Sequence, residues 1–341
     1  MTRLLLAGCD SRVLLSHVAL VGLGAILEEA GAGPRLGWTA GMAPTPVLHG
    51  CPPEQVAAAV RAHAVRHADP DSWVGRTLMD RRKHRGLMSP RLATLAIPDG
   101  WRELEEGRHE AIDVLTAHRA ELDLRMLGAL GRPAYWRMYQ RQRRQDDGAS
   151  RWEMQPRNQG SEFVGTRLRP LALAVAARSD AQVRDGLIGA EVVDEVGGDR
   201  PDSRTPTGLS APGPTDNALA WCALWGFSQF PLGLRAGHTA GTSGHVGPAV
   251  AGAFYTLTWR GTWRMARLRS MLASRQARDV ADSQTANRAD AHPALSNRPA
   301  QNWLADRGVT AVLCFPVTRH GSDSAPERRA GLAAICRLDV P

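Results

Sequence analysis

Five arginines near the end of one segment have the spacing of a phosphate-binding helix face. With Arg260 to Arg278 taken as a helix at 100° per residue, Arg260, Arg264, Arg267, Arg275 and Arg278 fall within an arc of roughly 80°. Only Arg269 points elsewhere. Met265, Leu268 and Leu272 flank the arc and would pack on a core. A guanidinium is a planar fork of donors, so a stripe of them suits a run of phosphates. The alternative is a solvated face whose charges pair with acids from elsewhere in the chain. The stripe ends a segment, Asn217 to Arg278, that holds seven arginines and no Asp or Glu. Eight of the chain's eighteen aromatics lie there too: Trp221, Trp225, Phe227, Phe230, Phe254, Tyr255, Trp259 and Trp263. Such a stretch is costly to keep soluble alone, and an anionic partner would cover it.

Two further basic segments could do the same work. Gly131–Pro170 interleaves Tyr135, Trp136, Tyr139, Trp152 and Phe163 with arginines that include Arg141, Arg143 and Arg144. Aromatics amid arginine suit base stacking beside phosphate contacts, or else anchor a loop on a core. Arg81-Arg82-Lys83-His84-Arg85 is a compact basic run, which a solvated turn would also explain. Catalytic patterns are missing. Lys83 is the sole lysine and is not followed by Ser or Thr in a glycine-rich loop, so no P-loop exists. His109-Glu110 has no second histidine four residues on, and Gly241-Thr242-Ser243-Gly244-His245 fails the spacing of a nucleophile elbow. His238 and His245 share the Gly233–Gly247 loop, where a metal, a phosphate or mere loop flexibility would account for them. Asp69 and Asp71 read as turn formers. Neither a catalytic site, a metal site nor a cofactor is expected.

The chain of 341 residues carries +8 at a sequence pI near 10. Residues 1–130 are neutral, 131–170 carry +5, and the remainder +3. That balance fits nucleic acid or an anionic surface. Five scattered cysteines form no C-x-x-C pair, which fits reduced thiols and a cytoplasmic protein. No apolar run reaches 18 residues, so no membrane span is expected.

The elements that must position these residues alternate in type. Helices are expected over Leu14–Ala30, Pro53–His67, Trp101–Leu130, Leu171–Leu187 and Asp216–Phe230. Strands are expected at Leu36–Thr39 and Phe254–Trp259, with a C-terminal β-hairpin from Val309–Thr318 and Ala330–Leu338. Gly160–Pro170 reads as extended or looped, and Asp279–Pro299 as polar and mobile. Gly197–Pro214, rich in Gly, Pro, Ser and Thr, reads as a linker between an N-terminal domain (1–196) and a C-terminal domain (215–341). The fold class expected is helix-rich α+β with short strands. Ala19-Leu20-Val21-Gly22-Leu23-Gly24 echoes Ala223-Leu224-Trp225-Gly226-Phe227-Ser228, either as a duplicated half or as two helices that need glycine for close packing.

Three stretches carry a family likeness. They are Leu15-Ser16-His17-Val18-Ala19-Leu20-Val21-Gly22-Leu23-Gly24-Ala25-Ile26-Leu27, Asp216-Asn217-Ala218-Leu219-Ala220-Trp221-Cys222-Ala223-Leu224-Trp225-Gly226-Phe227, and the ending from Gly308-Val309-Thr310 through Phe315-Pro316-Val317 to Arg328-Arg329. Together they resemble the large or accessory subunits of type I CRISPR effector complexes, particularly subtype I-U, also called I-G. The resemblance implies a subunit that works beside other effector subunits on a guide RNA and its target DNA. It carries no catalytic motif across. In such complexes base pairing reads sequence, while protein holds backbones.

Overall fold

The computed structural model describes residues 2–80, 83–89, 100–130, 136–139, 142–145, 163–230, 244–246, 252–286, 297–321 and 327–339; at 80, 83, 136–139, 142–145, 245 and 286 it describes backbone only. The first strand, β1 (Arg3–Leu5), leads into helix α1 (Leu14–Glu29), then β2 (Arg35–Trp38), β3 (Pro46–His49) and α2 (Pro53–Ala68). Two small hairpins follow, β4 (Thr77–Asp80) with β5 (Lys83–Gly86), and β6 (Trp136–Tyr139) with β7 (Gln142–Gln145). Between them lie α3 (Gly100–Ala117) and α4 (Glu121–Ala129). A π-helical turn, Val164–Leu168, runs into α5 (Arg169–Ala177), followed by α6 (Asp180–Ile188) and α7 (Asn217–Gly226). The chain ends with β8 (His245–Val246), β9 (Ala253–Trp259), β10 (Thr262–Trp263), α8 (Met265–Leu272), α9 (Arg275–Ala286), α10 (Arg298–Ala305), β11 (Val309–His320), β12 (Glu327–Ala330) and β13 (Ala334–Arg337). The fold is helix-rich α+β.

Two antiparallel sheets organise it. One has the order β1-β3-β2-β10. In the other, β11 is central, with β9 and then β8 on one side and β12 and β13 on the other. The expected C-terminal hairpin is present, its return strand split in two. The chain passes between the sheets at Arg260-Gly261, where Gly261 takes φ +73.

Helix α1 is apolar around its whole circumference, and every residue from Leu14 to Leu27 is buried. It therefore forms the centre of the molecule rather than a surface layer. Its closest neighbour is α7, the helix carrying the echoed sequence. A Cβ on Gly22 would stand 1.8 Å from the Cys222 carbonyl oxygen, and one on Gly226 would stand 1.9 Å from that of Val18. The echo is thus a backbone-to-backbone crossing of two helices, each giving up a side chain at the contact.

One large apolar core runs from Leu4 to Leu338 through both sheets and both central helices, beside a small separate cluster of Leu87, Trp101 and Leu104. The two-domain division expected from Gly197–Pro214 does not match this continuous core. That segment is a folded loop, with Ser203, Thr205, Thr207 and Leu209 buried. Asp194 gathers it, accepting from Ser203 Oγ (2.5 Å), Thr205 Oγ1 (2.7 Å), Gly197 N (2.8 Å) and Asn217 Nδ2 (2.9 Å). Beside it, buried Arg178 donates to Asp216 (2.9 and 3.1 Å), to both oxygens of Glu195 (2.7 and 2.6 Å) and to the Val193 carbonyl (2.6 Å). Asp216 in turn caps α7 through Ala218 N and Leu219 N. Burial opposes the Arg178 charge, but the Glu195 and Asp216 contacts outweigh it and raise its pKa. Turn-forming composition here encodes a hydrogen-bonded knot.

Other expectations broke at helix ends. Trp101–Leu130 is two helices, because Arg119 adopts φ 53 and the Ala120 amide bonds back to the Leu115 carbonyl. Leu171–Leu187 is also two, since Ser179 and Gln182 form a capping box that starts α6. Gly160–Pro170, expected as loop, holds the π-helical turn.

Two buried histidines set a pH dependence. His17 donates from Nε2 to the Ser11 carbonyl (2.7 Å) and lies between Trp38 and Phe315. Burial pushes its pKa down to about 4. His63 accepts at Nδ1 from Trp221 Nε1 (3.1 Å), and burial, then the charges of His67 and Arg66, hold its pKa well below the ordinary value. Both rings are neutral when folded, while the unfolded chain takes up protons below about pH 6.5. Their contribution to stability is therefore full above pH 6.5 and is lost as pH falls, for His17 down to about pH 4. For His17 alone the loss is about 3 kcal/mol. Melting curves from pH 7.5 to 4.5 should show the decline, and His17→Gln should make it shallower. A midpoint constant over that range would refute neutral burial of these rings.

Candidate nucleic-acid interface

The β1-β3-β2-β10 sheet has two unlike faces because side chains alternate along each strand. Leu4, Leu48, Leu36 and Trp263 stand side by side in register and are all buried against the core. One residue along, the opposite face carries Arg3, His49 and Arg35, also in register. Arg264 continues the row. It directly follows Trp263, whose partner Leu36 follows Arg35, and its backbone is still extended. Four basic groups thus cross the sheet in one line. Arg3 and Arg264 are exposed, while His49 and Arg35 are half-buried.

The line is short of counter-charge. Arg3, Arg35 and Arg264 form no ion pair among the described residues. Partial burial, then the Arg3 charge, push the His49 pKa down, so the ring is the weak base of the row. Arg264 is also the N-cap of α8, whose first turn has no acid, so the positive end of the helix adds to the field. Gly37 lies on the same face with the Gly261 carbonyl folded over it. An added Cβ there would sit 2.9 Å from that oxygen and 3.4 Å from the His49 ring. This contact brings exposed Arg260 beside the row. Arg267 lies 4.8 Å over the Trp263 ring and donates to the Arg307 carbonyl (2.7 Å), and Arg307 covers Trp303 at 3.8 Å. The chemistry offered is an array of guanidinium forks on a rigid, solvent-facing sheet.

The expected single helix from Arg260 to Arg278 does not form. Its residues divide among the bend after β9, strand β10, α8 and α9, because the chain must join one sheet to the other and then turn at Ala273–Ser274. Arg260, Arg264 and Arg267 stay together at the sheet corner. Arg275 and Arg278 leave for α9, where they pair with Asp279 (3.4 Å) and Asp282 (3.6 Å). Arg269 is held by Gln229 Oε1 (2.8 Å) and Glu28. Arg275 and Arg278 are thus paired within their own helix, and Arg269, already outside the arc, is paired with Glu28. The eight aromatics from Trp221 to Trp263 are all buried, so none offers a stacking platform. Their burial in the core, not a covering anion, explains the acid-free stretch.

Some of the other candidates lie outside the described residues. That holds for Arg81, Arg82 and Arg141, and for His238. Lys83 is placed on β5, and Arg143 and Arg144 on β7, by backbone alone. Arg85 is half-buried on β5. Arg3, His49 and Arg35 went unnoticed in the sequence because they are isolated there. The strand expected at Leu36–Thr39 begins one residue after Arg35, and only strand pairing aligns that arginine with the others.

A cavity of about 680 Å³ opens beside α2, lined by Glu29, Arg66, His67, Trp73, Arg119 and Asp123 among others. His67 Nδ1 meets the His63 carbonyl at 2.7 Å and Nε2 meets Asp123 at 2.6 Å. The ring thus bridges the His63 carbonyl and the Asp123 carboxylate. Trp73 Nε1 also donates to Asp123 (2.7 Å). Burial pushes the Asp123 carboxyl up, but these contacts outweigh it and hold it below the usual range. The group ties α2 to α4. Among the described residues no cluster of three or more His, Cys, Asp or Glu is placed to hold a metal ion, and no helix is long and apolar enough to cross a membrane. All five cysteines are free. No protein-family description, curated protein or solved structure matches the chain.

Proposed function

We propose that this chain is a noncatalytic, cytoplasmic nucleic-acid-binding subunit of a CRISPR RNA-guided effector complex. Its role is to hold the backbone of guide RNA or target DNA. The observation that supports this reading is the line Arg3–His49–Arg35–Arg264 on the open face of a sheet, with Arg260 at its end. Adjacent strands are spaced about 4.8 Å apart, so the side chains of the row lie within reach of several phosphates of one backbone. The family resemblance supplies the assembly, and the guide RNA, target DNA and other effector subunits as partners. Four phosphate contacts predict that log K falls with log salt at a slope of about −3 to −4.

The test is a titration of labelled single-stranded RNA and duplex DNA with the full chain at several salt concentrations. Arg35→Glu with Arg264→Glu should weaken binding at least about 10-fold and flatten the slope by about 2. Exposed Arg264 should cost under about 0.5 kcal/mol, and the melting point, measured alongside, separates any loss of fold at half-buried Arg35 from loss of binding. Binding that ignores salt, or a double variant that binds as wild type, would remove the basis of the interface. Copurification with guide RNA and neighbouring effector subunits tests the assembly separately.

A further inference from the structure

A second basic cluster lies where the π-helical turn meets β12. Arg329 and Glu327 are two apart on β12 and so share a face, opposite Thr318 and His320 of β11. Arg329 grips Glu327 with its fork, Nε to Oε1 at 3.0 Å and Nη2 to Oε2 at 3.1 Å. Arg204 approaches the same carboxylate from the 197–214 loop, Nη1 to Oε2 at 3.5 Å. That loop is fixed here by the Ala330 amide, which donates to the Gly208 carbonyl (2.8 Å). The third guanidinium is Arg167, on the π-helical turn. Its Nε is buried and has no hydrogen-bond partner.

Two guanidiniums thus hold one buried carboxylate, and a third, Arg167, feels the charges of both Arg204 and Glu327 while its own buried donor is unsatisfied. Burial, and then the neighbouring charge of Arg204, push the Arg167 pKa down. Such an arrangement is costly without a ligand, because a buried donor loses its water and like charges repel. An oxyanion would satisfy the donor and the charge together. A tetrahedral phosphate suits the geometry best, since separate oxygens can face separate forks. A π turn within a helical segment is a recurrent mark of functional sites, and here it carries Arg167.

We propose that Arg167, Arg204 and Arg329 form a phosphate-binding site. Glu327 acts as the internal counter-charge that holds the guanidiniums together before the ligand arrives. The occupant is a backbone phosphate of a polynucleotide, a second contact beyond the β1-β3-β2-β10 sheet, and this part rests on the nucleic-acid reading.

The test has two arms. In the first, the full chain is melted in sodium phosphate and in sodium chloride at equal ionic strength. Phosphate should raise the midpoint by about 2–4 °C over chloride. Arg204→Ala should lose at least about half of that increment, and Glu327→Gln should enlarge it by leaving three guanidiniums without their counter-charge. Arg204 is more than half exposed, so its variant keeps the fold. An increment unchanged in Arg204→Ala would overturn the site. In the second arm, Arg204→Ala should weaken binding of a labelled oligonucleotide about 3- to 10-fold. A variant that loses the phosphate increment but binds the oligonucleotide as wild type would overturn the polynucleotide assignment alone. The Arg35→Glu, Arg264→Glu variant should keep the phosphate increment. Failure of the sheet interface therefore leaves this site standing, and failure of this site leaves the interface standing.

Discussion

Gly226→Ala should leave little folded protein at physiological temperature. The new methyl carbon would lie 1.9 Å from the Val18 carbonyl oxygen, and the obstacle is backbone, not a side chain that can rotate away. Helix α1 would have to move outward by more than an ångström. It is buried from Leu14 to Leu27, so its whole packing would move with it. Overpacking costs about 1–3 kcal/mol where side chains can yield, and a backbone clash at the centre of the core belongs at or above the top of that range. Gly22→Ala should be as damaging, since its clash with Cys222 is closer. Gly128→Ala is the control. It lies on helix α4 with nothing within 4 Å of the added carbon, and should stabilise by about 0.5–1 kcal/mol. Urea unfolding of the three variants gives the comparison. A Gly226→Ala midpoint within experimental error of wild type would show that α1 and α7 do not cross at these glycines.

Arg178→Met should be the most destabilising charge change among the described residues, at about 3–5 kcal/mol. Methionine fills part of the volume but leaves the Asp216 carboxylate buried and without its cation. Asp216 also loses the rigidity that aims it at the first turn of α7. The same reasoning predicts strong coupling. Arg178→Met combined with Asp216→Asn should cost less than the two single changes together, because the uncompensated charge is gone while an asparagine still caps the helix. Chemical denaturation of the four proteins closes the cycle. Additive losses would mean that the pair does not act as a unit. Limited proteolysis adds a local reading, as the loop gathered by Asp194 should become susceptible in Arg178→Met.

Much of this architecture was legible in the residues, for reasons that can be stated. Leu14–Leu27 is apolar on all sides, and only a central helix buries such a sequence. Pro53 at the start of α2 marked its element through local chemistry that tertiary contacts did not need to override. The glycine echo was visible as an alternative, and packing geometry decides it. Two kinds of feature were not legible. One is the helix stop made by a residue that ordinarily continues helices, as Arg119 does in a left-handed conformation. The other is adjacency made by pairing. Arg3, His49 and Arg35 are separated by dozens of residues, and no periodicity joins them. The Arg260–Arg278 stripe misled for the converse reason. Its spacing was genuine, but Trp259 and Trp263 are stacked at 4.7 Å within the core and bend the chain before a helix can begin.

The crossing of α1 and α7 also constrains how the protein is made. The surface of α1 is apolar throughout, yet its mate begins at Asn217, about 190 residues later in the chain. A ribosome adding about 5–20 residues per second exposes α1 for roughly 10–40 s before α7 emerges. Among the described residues it is α7 that meets Gly22, with Gly226 at the crossing. The partner sheet strand β11 arrives later still. The nascent chain must therefore carry an apolar helix without its main partner through about half of its synthesis, which favours chaperone holding and delays commitment to folding until α7 emerges.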